Sequence, residues 1–244
     1  MSDPVTSVLS ASNLTKAFGS NTALDNFNLS VAKGEIVCLL GANGAGKTTT
    51  INLFLDFLQP DSGDVSVLGR SVSEDPAKAR AAIGYVAEIV SLYPTLSGRE
   101  NLDFFHALSG NAPISDRERE TLLTRLEFPM RAIDAPVSTY SKGMRQKLGL
   151  AIAVAKKARA ILLDEPLSGL DPKAANNLVT VLRQIASEGV ALLLSTHDIF
   201  RAKEVADRIG IMSQGQLIDL VDANSLSAAD LEALYLRHMT DEAA

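Results

Sequence analysis

Short apolar runs recur along the chain, and between them apolar residues fall at helical spacing. Glu35-Ile36-Val37-Cys38-Leu39-Leu40 is a run of strand length, and Ile83 to Val86, Ile161–Leu163, Val190–Leu194 and Ile209–Met212 read as further buried strands. Ile51, Phe54, Leu55 and Leu58 predict an amphipathic helix that Gln59-Pro60 ends. From about Leu92 to Lys157 the chain reads as mostly helical, with Leu102, Phe105 and Leu108, then Leu122, Leu123 and Leu126, in register, and with breaks near Pro94, Pro113, Pro129 and Pro136. Strands separated by helices predict an α/β fold with a parallel sheet. Residues 5–36 read differently, as short strands and turns, with Leu24, Phe27, Leu29 and Val31 partly alternating up to Lys33-Gly34. Residues 60–69 read as a turn and a short strand with Val65 and Val67 on one side. The segment Ala223 to Ala244 reads as a polar-to-amphipathic tail, helical from Ala228 to Met239.

The polar chemistry gathers where the apolar runs stop. After Leu40 comes Gly41-Ala42-Asn43-Gly44-Ala45-Gly46-Lys47-Thr48-Thr49, a complete phosphate-binding P-loop, G-x-x-x-x-G-K-[ST]. Gly41, Gly44 and Gly46 let the backbone curl, so that N–H groups from Asn43 through Ala45 to Thr49 face an anion at a helix start. Lys47 reaches β- and γ-phosphates, and the Thr48 hydroxyl coordinates Mg²⁺. The run Ile161–Leu163 ends in Asp164-Glu165. Asp164 is placed to hold Mg²⁺, which prefers oxygen ligands, and Glu165 to deprotonate a water as general base. The run to Leu194 ends in Ser195-Thr196-His197, and His197 is a candidate donor to a γ-phosphate or a holder of the attacking water. Glu88 follows the run ending at Val86. In open parallel sheets ligands bind at the carboxyl ends of strands, so one nucleotide can touch all four places. His106 and His238 lack such a setting and read as structural.

Composition narrows the classes. The chain has 244 residues, 46% of them hydrophobic, which suits one domain with a real core. The formal charge is −6 with no basic block, which argues against nucleic acid as a partner. The single cysteine, Cys38, sits in a predicted strand and reads as packing. No apolar run is long enough to span a membrane, and Met1 to Ser10 carries no signal-like pattern. The expectation is a cytoplasmic protein whose membrane role requires a partner.

One further segment discriminates among P-loop proteins. Tyr140-Ser141-Lys142-Gly143-Met144-Arg145-Gln146 resembles the L-S-G-G-Q signature of ATP-binding cassette (ABC) transporter nucleotide-binding domains. With it, Phe18 resembles the aromatic residue that stacks on adenine, Ser168-Gly169-Leu170-Asp171 the D-loop, and His197 the switch histidine. The resemblance spans about residues 8–220. It implies a P-loop NTPase fold with a RecA-like, mostly parallel sheet, an N-terminal antiparallel β subdomain, and a helical subdomain inserted at about 89–157. The domain would run over 1–222, with the tail at 223–244. It also implies a Mg²⁺-dependent ATPase in which two domains bind head to tail around two ATP molecules. Ser141 and Gly143 of one would then meet the γ-phosphate held by the other, Asp171 would lie at the shared site, and a homodimer is expected. ATP closes the pair, hydrolysis opens it, and an integral membrane permease subunit moves with it, leaving the ATPase peripheral at the cytoplasmic face of the membrane.

Two residues depart from the family pattern. Glu88 stands where a glutamine is usual and can still meet Mg²⁺ or the attacking water; Lys142 replaces the first signature glycine and either attracts ATP phosphates or faces solvent. Both resemble the branch serving ABC-2 type exporters, whose membrane subunit inserts a coupling helix beside the Glu88 loop, here near Glu88 to Asn101. The alternative class is a soluble ABC ATPase of translation or DNA maintenance. The chain has one P-loop and one signature, with only residues 50–139 between them, and no cysteine-rich module. A GTPase is disfavoured because no N-K-x-D motif occurs.

Overall fold

The structure, a computed structural model, describes residues 7–240; the ends of the expected N-terminal and tail segments, 1–6 and 241–244, lie outside them. The described chain builds two sheets. The first is antiparallel and contains β1 (Ser7–Phe18), β2 (Asn21–Ala32), β4 (Ser62–Val67) and β5 (Arg70–Ser71), in the order β2-β1-β4-β5. The second contains β3 (Ile36–Leu40), β6 (Ile83–Val86), β7 (Ala160–Asp164), β8 (Ala191–Thr196), β9 (Arg208–Ser213) and β10 (Gln216–Asp222), in the order β10-β9-β3-β8-β7-β6. All neighbours in the second sheet are parallel except the β9–β10 hairpin at one edge.

The central strands read as unbroken apolar runs because both of their faces are covered. Ile36, Cys38 and Leu40 of β3, Ile161 and Leu163 of β7, and Leu192 and Leu194 of β8 enter one apolar cluster. Val37 and Leu39, Ala160 and Leu162, and Ala191 and Leu193 enter the other. The first cluster is completed by α5 (Lys142–Ala155), α6 (Pro172–Ser187) and α7 (Ile199–Val205), the second by α1 (Lys47–Phe54) and the antiparallel sheet.

Between β6 and β7 the chain leaves the sheet. It forms α3 (Gly98–Leu108) and α4 (Asp116–Arg125), then two short 3-10 turns at Met130–Ala132 and Val137–Thr139, and returns through α5. Each of α3 and α4 starts with a capping box, Ser97 with Glu100 and Ser115 with Glu118.

Several elements differ from the sequence expectation. Residues 7–32 form two long strands rather than several short ones. Bulges in their pairing, with Asn13 and Asn26 at positive φ, break the alternation that would have revealed them. Helix α1 stops at Phe54 instead of reaching Leu58, because Asp56 takes the left-handed conformation at φ 58°. A helix α2 (Pro76–Ala82), capped by Asp75, and the strand β10 had no apolar pattern strong enough to predict them. The tail helix, expected over Ala228 to Met239, is present as α8 (Ala228–Thr240); it buries Leu231 completely, and its Leu234 and Tyr235 pack on the first cluster.

Candidate functional site

Gly41 follows the end of β3, and the loop it begins runs into α1. A side chain at Gly41 would place its Cβ 2.4 Å from the Met212 carbonyl oxygen, and at Gly46, φ +103°, 2.6 Å from the Ala23 carbonyl oxygen. Only glycine lets the loop close over these two carbonyls. Gly46 is the N-cap residue of α1 and offers no side chain, so the first-turn N–H groups of the helix remain available to an anion.

A cavity of about 350 Å³ lies over this loop, lined by Phe18, Asn21, Ala23, Asn43, Gly44, Gly46, Lys47, Thr48, Thr49, Glu88, Asp164 and Glu165. The sheet therefore brings together, at the carboxyl ends of β3, β6 and β7, residues widely separated in sequence. Gly41 and Ala45 are buried beneath the lining.

Inside the cavity the polar groups contact one another. The Thr48 hydroxyl lies 3.1 Å from Asp164 Oδ2. Ser195, wholly buried, donates its hydroxyl to Asp164 Oδ1 and accepts the Glu165 N–H at 3.0 Å. The parallel pairing of β7 with β8 sets Asp164 directly opposite Ser195. Glu165 sits in the left-handed region at φ 47°, a conformation that costs a non-glycine residue about 1–2 kcal/mol and that the Ser195 bond helps to hold. His197 Nδ1 is 2.8 Å from Glu165 Oε1. The Lys47 ammonium donates to the carbonyls of Gly41 at 2.6 Å and Ala42 at 2.9 Å. Burial lowers the Lys47 pKa from its usual value, against the opposing pull of Glu165 and Asp164. Burial, with Glu165 next, pushes the Cys38 thiol well up, so Cys38 is an inert packing group beneath the site.

Phe18 is half exposed at the cavity edge, with Lys16 Nζ 5.6 Å from its ring centroid. The strand end that carries it is fastened by Asp61, which accepts the Ala17 N–H at 2.7 Å and a bond from Lys16 at 2.9 Å.

Glu88 Oε1 lies 3.4 Å from both Lys142 Nζ and the Ser168 hydroxyl. Lys142 thus does not face only solvent: the two departures from the family pattern meet each other.

None of Ser141, Gly143, Asp171 and His197 is among the described residues lining the cavity. Ser141 is the N-cap of α5 and accepts the Met144 N–H at 3.2 Å. Asp171 is the N-cap of α6 and accepts the Ala174 N–H at 2.9 Å. A Cβ on Gly143 would meet only ordinary contacts, at 3.6 Å or more, so no packing within the chain requires glycine there. Sequence reasoning missed Ser195 as a site residue, along with Asn21 and Ala23. Its position beside Thr196-His197 at a strand end was the available signal.

No three acidic, histidine or cysteine side chains cluster as a metal site among the described residues. Among the lining groups, the Thr48 hydroxyl lies beside the Asp164 carboxylate, with Glu88 in the same cavity. That donor set suits Mg²⁺ held jointly by protein, phosphate and water rather than by a protein cage.

Comparison with known proteins agrees with this geometry. A profile of the family described as "ABC transporter" matches residues 24–168. The chain is 34% identical over 212 residues to the linearmycin resistance ATP-binding protein LnrL of Bacillus subtilis (strain 168), spanning 86% of this chain and 68% of that one. It is 34% identical over 220 residues to the bacitracin transport ATP-binding protein BcrA of Enterococcus faecalis, spanning 90% and 70%. Among solved structures, the dimeric post-hydrolysis state of the ATP-binding cassette MJ0796, bound to ADP and Pi, superposes with a TM-score of 0.78 at 26% identity, covering 88% of this chain and 98% of that one.

Proposed function

The chain belongs to the ABC transporter family, as an ATP-binding subunit with ATPase chemistry, and from that premise we propose how its residues divide the work. The observation that carries the reading is the meeting of Thr48 and Asp164 at 3.1 Å, with Lys47 and Glu165 in the same cavity. Phe18 stacks on adenine. The N–H groups of the loop from Gly41 to Thr49 and the Lys47 ammonium hold the phosphates. Thr48, Asp164 and Glu88 are the residues that would hold Mg²⁺, whose chemistry there is to neutralise charge developing on the phosphates. Glu165 takes the proton of the attacking water. His197 fixes the direction of the Glu165 carboxylate. With Nδ1–H donating to Glu165, neutral His197 keeps only an acceptor at Nε2, so donation to a γ-phosphate belongs to the imidazolium.

MJ0796 forms a dimer in its ADP and Pi complex. We extend that arrangement to this chain: a second copy supplies Ser141 and Gly143 to the phosphate held by Lys47, with Asp171 at the junction. The helix starts at Ser141 and Asp171 then lie at the copy–copy interface. LnrL is a resistance protein and BcrA a bacitracin transport protein by name; their kinship supports an exporter of the ABC-2 type. The membrane subunit docks beside the Glu88 loop, where Ile89, Tyr93 and Phe104 present apolar surface and Tyr85 and Phe105 line an adjoining groove. No helix of the described residues is long and apolar enough to cross a membrane, so membrane attachment at the cytoplasmic face passes through that subunit. No observation favours a role in translation or DNA maintenance.

The test is Glu165→Gln. ATP binding and an ATP-dependent dimer on size exclusion should persist while turnover falls at least about 100-fold, the lower end of a general base's contribution. Wild-type turnover in this variant removes Glu165 as the base. Co-purification with the permease of a binding-protein-dependent importer overturns the exporter reading.

A further inference from the structure

Helix α5 grips the Glu88 loop at two points. Gln146, almost wholly buried, donates its amide to the carbonyls of Ala87 at 3.3 Å and Glu88 at 3.0 Å, fixing the main chain. One turn earlier, Lys142 reaches the Glu88 carboxylate at 3.4 Å. Residues four apart share a helix face, so main chain and side chain of Glu88 are held from the same stripe. The second partner of the carboxylate is Ser168, and the Lys142 side chain also lies against Gly169, where a Cβ would be 3.5 Å from Nζ. Lys142 therefore sits where three segments converge: the loop after β6, the start of α5, and the loop after β7.

The charge pattern gives this convergence a consequence. Among the described residues, Glu88, Asp164 and Glu165 line the nucleotide cavity, against one lining cation, Lys47. Three carboxylates around a polyanion's site repel it, and Glu88 is the one of the three with a lysine outside the cavity to balance it. A half-exposed ion pair of this kind adds little to folding stability, so its effect falls on the cavity's charge and on where Glu88 points.

We infer that Lys142 is a positioning residue for Glu88: it turns the carboxylate toward the loop at Ser168, offsets its charge, and thereby sets the affinity of the cavity for ATP. In the absence of Mg²⁺, which Glu88 would otherwise meet, loss of Lys142 leaves the carboxylate free to face the phosphates. The inference rests on the reading that this cavity holds ATP.

The test is equilibrium binding of ATP in excess EDTA, followed by calorimetry, for the wild type, Lys142→Met, Lys142→Arg, and Lys142→Met in a Glu88→Gln background. Lys142→Met should weaken ATP binding about three- to ten-fold, the scale of one unscreened charge near a polyanion across partly hydrated space. Lys142→Arg should stay within about two-fold of wild type, which also shows that the site tolerates substitution. With glutamine at 88, the Lys142→Met change should matter by less than about two-fold. In turnover with Mg²⁺, Lys142→Met should raise KM for ATP more than it lowers kcat. Equal weakening with glutamate or glutamine at 88 means that Lys142 acts on the phosphates or on the fold and overturns the inference, as does unchanged affinity in Lys142→Met. If the wild type itself does not bind ATP, the reading of the cavity fails instead.

Discussion

The two stretches of motif that we assign to phosphate handling are built in opposite ways. Around the P-loop the functional groups contact one another: Thr48 meets Asp164, Ser195 joins Asp164 to Glu165, and His197 steadies Glu165. Around residues 141–143 they do not. The Ser141 hydroxyl is occupied as a helix cap, and Gly143 has room for a side chain. The first region carries its reasons inside the chain, in parallel strands whose register sets the side chains opposite each other. In the second, Ser141 serves the chain as a helix cap, but no packing inside the chain requires glycine at 143, the pattern expected of a surface whose counterpart is another molecule. Lys142 is the exception within that second region, and its partner, Glu88, belongs to the first.

Removing the P-loop cation should break the first region most severely. Lys47→Ala deletes a buried ammonium that hydrogen-bonds at 2.6 Å and 2.9 Å, and charged hydrogen bonds contribute about 1.5–3 kcal/mol each. ATP affinity should fall about 10- to 100-fold, measured by calorimetry, and turnover should be lost. Unchanged affinity would detach the loop from phosphate binding.

The second region is tested by mixing. Ser141→Ala removes a helix cap, for which about 1 kcal/mol of stability is expected, and if sites are shared it also damages the partner's pocket. Combined with Lys47→Ala chains, Ser141→Ala chains would form hybrids in which one pocket keeps both Lys47 and an opposing Ser141. Phosphate release from the mixture should exceed the mean of the two variants assayed separately. A mixture that only averages them would show each pocket to be self-sufficient and dissolve the contrast between the regions.

The sequence revealed the first region well for a physical reason. A P-loop, a strand-end Asp-Glu and a strand-end histidine each mark the exit of an apolar run, and a parallel sheet sends those exits to one edge. What it hid depends on pairing between strands or segments far apart. Ser195 acquires its role from the register that sets it across from Asp164, and nothing local to residue 195 encodes that register. The bond between Glu88 and Lys142 spans two segments whose approach is fixed by Gln146 and the packing of α5. The long strands β1 and β2 were obscured because their bulges shift the alternation partway along. Ser195→Ala tests the hidden part directly. It orphans the Glu165 N–H and releases Asp164, and a buried unsatisfied donor costs about 1–3 kcal/mol. Turnover should drop about 10-fold with ATP affinity in EDTA little changed, since the phosphates are held elsewhere; an equal loss of both would place Ser195 among the phosphate-binding groups.

The smallest effect concerns the edge of the first region, where Phe18 leaves β1. Asp61 accepts the Ala17 N–H and a bond from Lys16, and these contacts, the Ala17 bond foremost, hold its carboxyl below the usual 3.8. A carboxylate with a depressed folded pKa contributes stability that is present above its unfolded pKa and lost as pH falls through the folded one. The Asp61 contribution should therefore be intact at neutral pH and decline below pH 3.8. Asp61→Asn should flatten that acid arm of a thermal-denaturation profile. It should also weaken binding of ATP more than binding of inorganic triphosphate, because only ATP has an adenine to meet Phe18. Equal weakening of both ligands would mean that the strand end supports the P-loop as a whole, and the boundary of the self-contained region would then have to be drawn outside Phe18.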